Sequence, residues 1–98
     1  MRSSGGGSSR LAAYKRAVEL MEAELGDELV ALDVQRGECF GFNSVATSVW
    51  HELREPKSFE QLRDRLLETY EVDADECSQG LEDLLNDLTA RGFIVLVP

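Results

Sequence analysis

Apolar residues in this chain recur every second position up to Phe42 and at helical spacing after Asn43, so a strand hands over directly to a helix. Phe40 and Phe42 put two rings on one face of that strand, and Gly37 and Gly41 lighten its other side. Downstream, Val45, Val49, Trp50 and Leu53 line one helical face. Asn43 is placed to cap that helix, because its side-chain oxygen can accept from the first free N–H groups. Upstream, Val18 to Leu25 has helical propensity, but the turn signal Gly26-Asp27 follows at once and a second short run, Glu28 to Val34, comes after it. In that run Val30, Leu32 and Val34 alternate with Leu29, Ala31 and Asp33, a set that is smaller or more polar on balance. Two strands joined by a tight turn fit this better than a helix. The turn Gln35-Arg36-Gly37 then leads into Glu38 to Phe42, completing a three-stranded meander.

The second half is helical and clearly punctuated. Pro56 ends the first helix by forcing Glu55 out of the helical region. Ser58 and Gln61 form a capping-box pair, and Leu62, Leu66 and Tyr70, flanked by Phe59 and Leu67, make the stripe of a second helix running to about Thr69. Asp73 or Asp75 can cap the third, with Glu76 in its first turn, where a carboxylate suits the positive end of the dipole. Its stripe is Cys77, Leu81, Leu84, Leu85 and Leu88, and Arg91-Gly92 signals its end. Phe93 to Val97 is β-prone and predicts a short last strand or an extended tail. The fold class is therefore α+β and winged helix-turn-helix-like: a three-stranded antiparallel meander, three helices and a short C-terminal strand. Residues 1–16 begin Ser/Gly-rich and are expected to be a flexible tail or linker, with residues 17–98 as one domain; Leu11 to Lys15 reads equally as a helical turn or a lead into a strand.

Charge narrows the partners. The 98 residues carry 19 acidic against 10 basic side chains, a formal −9, which opposes nucleic-acid phosphate and an anionic membrane alike. A basic or neutral peptide is the better match. No apolar run approaches the roughly 20 residues that span a bilayer, and no apolar signal core opens the chain, so it reads as cytosolic. Two cysteines far apart, Cys39 and Cys77, spell neither a metal site nor a secreted scaffold; they are expected to be reduced, and no cofactor is implied. His51, the only histidine, has no nucleophile at a telling spacing and reads as a surface residue, while the acidic clusters lack the spacing of a calcium loop. Nothing points to catalysis.

The run Arg36-Gly37-Glu38-Cys39-Phe40-Gly41-Phe42-Asn43-Ser44-Val45-Ala46, with Val49-Trp50, the Phe59-to-Leu66 helix, the break Tyr70-Glu71-Val72-Asp73 and the close Leu84 to Phe93, resembles the PqqD family. The resemblance spans about Val18 to Val97. Proteins of that family are RiPP recognition elements, non-catalytic modules that bind the leader of a ribosomally made precursor peptide and present it to maturation enzymes such as a leader peptidase, a cyclase or a radical SAM enzyme. Pyrroloquinoline quinone and lasso-peptide pathways use such single-domain members. In the family the leader adds as a strand to the third strand of the meander and lies beside the third helix. Carried over, this implies a peptide site at Glu38, Cys39, Phe40, Gly41 and Phe42, walled by Cys77, Gly80, Leu81 and Leu84. Two positions depart from the family pattern: Phe42 stands where Leu is usual, and Gly80 where Asp is usual, so no charge contact carries over there. The alternative is a winged helix-turn-helix that binds DNA or serves dimerisation; against DNA, Glu76, Glu82, Asp83 and Asp87 crowd the helix that would have to read it. Pairing of the open strand with a second copy, or exchange of the N-terminal strands, would give a homodimer.

Overall fold

The computed structural model describes residues 12–97. In chain order the elements are β1 (Ala13–Arg16), β2 (Met21–Leu25), β3 (Glu28–Asp33), β4 (Glu38–Phe42), α1 (Ser44–Glu52), α2 (Phe59–Thr69), α3 (Ala74–Ala90) and β5 (Ile94–Val97). Strands β2, β3 and β4 make the expected antiparallel meander, and β1 pairs with β5 in a separate two-stranded sheet. The α+β, winged-helix-like class stands. The boundary expected after residue 16 does not, because all four residues of β1 pair with β5, from Ala13 opposite Val97 to Arg16 opposite Ile94. Tyr14 also exchanges backbone bonds with Lys57 at 2.7 and 3.0 Å, which ties β1 to the connection between α1 and α2. The Ser/Gly-rich run Met1 to Arg10 lies outside the described residues.

Local chemistry sets the register. Gly26 has φ 69° at the first position of the two-residue β2–β3 turn, a left-handed conformation that glycine takes without a Cβ clash. Asn43 caps α1, its side-chain oxygen accepting the Ala46 N–H at 2.9 Å. Ser58 and Gln61 bond reciprocally at the start of α2, and of the two candidate caps for α3 it is Asp73 that accepts, from the Asp75 and Glu76 N–H groups. Gly92, at φ 81°, turns the chain out of α3 so that Phe93 and Ile94 drop into the core.

The core is built around Trp50 and Phe93, both buried. Phe93 meets Phe40 edge-on at 4.8 Å and Trp50 at 6.4 Å, while Phe42 meets Trp50 at 5.8 Å. Arg16 lies over the Trp50 ring at 4.1 Å and donates to the Trp50 carbonyl, and the indole N–H donates to Glu22 at 2.9 Å. Burial lowers the Arg16 pKa; Glu22 opposes that effect, and Arg54 adds to it. Trp50 is therefore a core residue, as its place on the apolar face of α1 predicts.

The facing of β3 reverses the sequence reading, in which Val30, Leu32 and Val34 were the more apolar set. Leu29 and Ala31 are 1% and 0% exposed, whereas Val34 is exposed and Val30 and Leu32 look outward. The physical reason lies in β4, whose Phe42 and Phe40 pair with Leu29 and Ala31 and pack against Trp50 and Phe93. On β2, Glu24 and Glu22 pair with Leu29 and Ala31, and Met21, Ala23 and Leu25 face outward. The outer face of the meander is thus mostly apolar, with Met21 63% and Leu25 66% exposed. On α1, Val45 turns outward and Ala46 takes the buried place assigned to it.

Candidate functional site

The meander has two open edges, and their side chains differ. The β2 edge carries Glu22 and Glu24, charges that discourage further pairing, whereas β4 offers Cys39 and Gly41 on either side of Phe40. Which backbone groups of β4 are free follows from the register. A two-residue turn closes on a hydrogen-bonded pair, here Leu25 and Glu28. Because bonding direction alternates along a strand, Glu28, Val30 and Leu32 bond β2, and Leu29, Ala31 and Asp33 bond β4. Their partners Phe42, Phe40 and Glu38 are committed to the ladder. The N–H and C=O groups of Cys39 and Gly41 are left pointing at the open edge.

Past the C-terminal end of β4, where the chain enters α1 at Val45, lies an apolar groove of about 240 Å³, lined by Cys77, Gly80 and Leu81 of α3 together with Val45, Leu66, Tyr70 and Val72. Glu76 is the one charged residue in its lining. A Cβ built on Gly80 would meet nothing within 4 Å, so the helix backbone is bare at this point of the wall. The Tyr70 hydroxyl shares a hydrogen bond with that of Ser48 at 3.2 Å, which orients the ring between α1 and the end of α2. At the C-terminal end of α3, Arg91 stands over the Phe40 ring at 5.2 Å, is paired with Asp87 at 3.0 Å, and accepts from Arg36 through its carbonyl. Two larger clefts, of about 670 and 640 Å³, flank residues 17–19; their walls mix Arg54 or Arg36 with Glu19, and neither includes a residue from the first three turns of α3.

The structure brings Cys77, Gly80 and Leu81 together in one wall. Cys77 and Leu81 are themselves buried, so they form the floor and expose only an edge. Leu84 is half-buried against the core one turn further along α3, outside the lining. Phe40 and Phe42 turn their rings inward, which leaves the strand's backbone rather than its rings to face a ligand. Val45, Leu66, Tyr70, Val72 and Glu76 were not anticipated at the site. Each sits at an element end or on another helix, and the one signal for the group was the break at Tyr70-Glu71-Val72. His51 is half-buried rather than a surface residue, and its Nε2 is buried without a hydrogen-bond partner. The nearby Ser48 hydroxyl is shared with Tyr70, so no base and nucleophile pair forms there. Cys39 is exposed and Cys77 buried, and both are free thiols. Among the described residues no group of three or more His, Cys, Asp or Glu could hold a metal ion, and no helix is long and apolar enough to cross a membrane.

This geometry has close counterparts. The structure of TbiB1 in complex with the TbiA(beta) leader peptide superimposes with a TM-score of 0.72 at 30% identity, covering 82% of this chain and 93% of that one. A lasso peptide synthetase B1 complexed with the leader peptide gives a TM-score of 0.70 at 22% identity, over 84% and 96% of the two chains, and so speaks for the fold. No curated protein matches the sequence significantly. The family model for coenzyme PQQ synthesis protein D (PqqD) matches residues 28–94, from the first residue of β3 into β5, and the chain belongs to the PqqD family.

Proposed function

We propose that this domain is a non-catalytic recognition element that binds the leader segment of a ribosomally made precursor peptide and hands it to maturation enzymes, in a lasso-peptide or PQQ-like pathway. The observation that carries the reading is the open edge of β4 together with an apolar groove that begins just past the strand's end, at Val45. An added peptide strand would satisfy the free backbone groups of Cys39 and Gly41 and drop an apolar side chain between Val45 and Gly80. Support also comes from the related TbiB1 structure, which contains a leader peptide. Duplex DNA fits poorly, because α3 carries five carboxylates and no lysine or arginine.

Amide hydrogen exchange with and without the precursor's leader tests this. Binding should slow exchange at Cys39 and Gly41, while Glu38, Phe40 and Phe42 are protected in both states. Leader binding with unchanged exchange at Cys39 and Gly41 would move the site elsewhere. Conversion of the precursor by the isolated domain would refute the non-catalytic role.

A further inference from the structure

Charge is distributed very unevenly over the chain. Between Arg65 and Arg91 there is no lysine or arginine, yet eight of the nineteen acidic residues lie there. The other eleven are almost balanced by the ten basic residues, so nearly all of the formal −9 belongs to the end of α2, its connection to α3, and α3 itself. These are the elements that wall the groove. Four of the eight are already engaged: Glu68 with Arg65 at 3.4 Å, Asp87 with Arg91 at 3.0 Å, Asp83 with the Gln79 amide at 3.3 Å, and Asp73 with the first N–H groups of α3. Glu71 and Glu76 have no cationic partner among the described residues. Glu76 lines the groove, and Glu71 stands between its lining residues Tyr70 and Val72. The positive end of the α3 dipole, worth about half a charge, offsets only part of this excess.

We propose that the groove selects a peptide whose apolar anchor is flanked by lysine or arginine, with Glu71 and Glu76 as the residues that read the charge. The inference rests on the peptide-binding reading above and adds the sign of charge the peptide must carry. The apolar floor recognises size but not charge. The Glu76 carboxylate in the lining, with Glu71 next to lining residues in the chain, attracts an ammonium or guanidinium group and repels an acidic flank, so the pair discriminates chiefly by excluding the wrong peptide. The field of the whole wall acts earlier, by steering a cationic segment toward the groove.

Three capped peptides of one length, with the same central leucine in a Val/Thr-rich strand and Lys, Gln or Glu on both sides of it, test the proposal. Affinity at low salt should fall in the order Lys, Gln, Glu by about threefold per charge, a tenfold or greater span that narrows near 0.5 M salt. Glu71→Gln combined with Glu76→Gln should narrow the span at low salt. Glu55→Gln together with Glu60→Gln removes the same charge from the opposite end of α2 and should leave it unchanged. Equal affinity for the three peptides, or an equal effect of the two double variants, overturns the charge reading and leaves peptide binding standing. No binding by any of the three, with unaltered exchange at Cys39 and Gly41, overturns the peptide-binding reading itself.

Discussion

Cys39 and Glu38 are sequence neighbours with opposite backbone duties, and proline, which has no N–H to donate, separates them. Glu38 bonds Asp33 across the ladder, so Glu38→Pro should lower stability by about 3 kcal/mol and appear as a lowered melting temperature. Cys39→Pro removes an N–H that faces the open edge; the fold should persist, and leader affinity should drop tenfold or more in a binding titration. Were Cys39→Pro to bind normally, strand addition to β4 would be wrong. Gly80→Leu tests the other wall, because the side chain enters open space and helix propensity improves. Melting should stay near wild type while leader binding weakens. At this scale the sequence was informative where one residue acts alone, as at the caps Asn43 and Ser58, each of which has a side chain suited to a single local bond. It was silent on Glu71 and Glu76, whose role depends on where Tyr70 and Val72 lie in space.

Among elements, α3 is both core and groove wall, so its N-terminal turn couples stability to the site. Asp73→Ala removes the cap and should cost about 1 kcal/mol, read by denaturant unfolding, with fraying that reaches Glu76 before Leu81. Undiminished stability would mean that the side-chain bonds to Asp75 and Glu76 contribute nothing. The helices were legible because each has a stripe, a cap and a breaker in one stretch of sequence. Strand β1 was not, since Ala13-Tyr14-Lys15-Arg16 has no marked alternation and its partner lies about eighty residues away. The facing of β3 misled for another reason. Both of its sides are apolar, and the deciding residues are Phe40 and Phe42 on β4, which pair with Ala31 and Leu29. Alternation assigns a face only when one of the two faces is polar.

The whole molecule balances an exposed apolar face against net charge. Met21, Leu25 and Leu32 stand outward on the meander, a surface that invites pairing with a second copy. At low ionic strength nine negative charges per copy oppose that contact; at about 1 M salt the screening length falls to about 3 Å and the opposition fades. Sedimentation velocity should therefore show monomer at low salt and growing association at high salt, and Leu32→Lys should suppress it. Salt-independent dimerisation would point instead to strand exchange or to pairing along β4. The β1–β5 pairing carries a different consequence. Ala13 and Val97 are register partners, so the two ends of the described chain stand about 5 Å apart, on a sheet that includes no residue of the meander or of α3. A short glycine linker could join them, and new termini opened in the exposed turn at Arg54-Glu55 should give a circular permutant that melts cooperatively and keeps its affinity for the leader. By the same geometry the domain is a ready-made insert. It could sit in a single surface loop of a host enzyme and hold its peptide where the host can reach it.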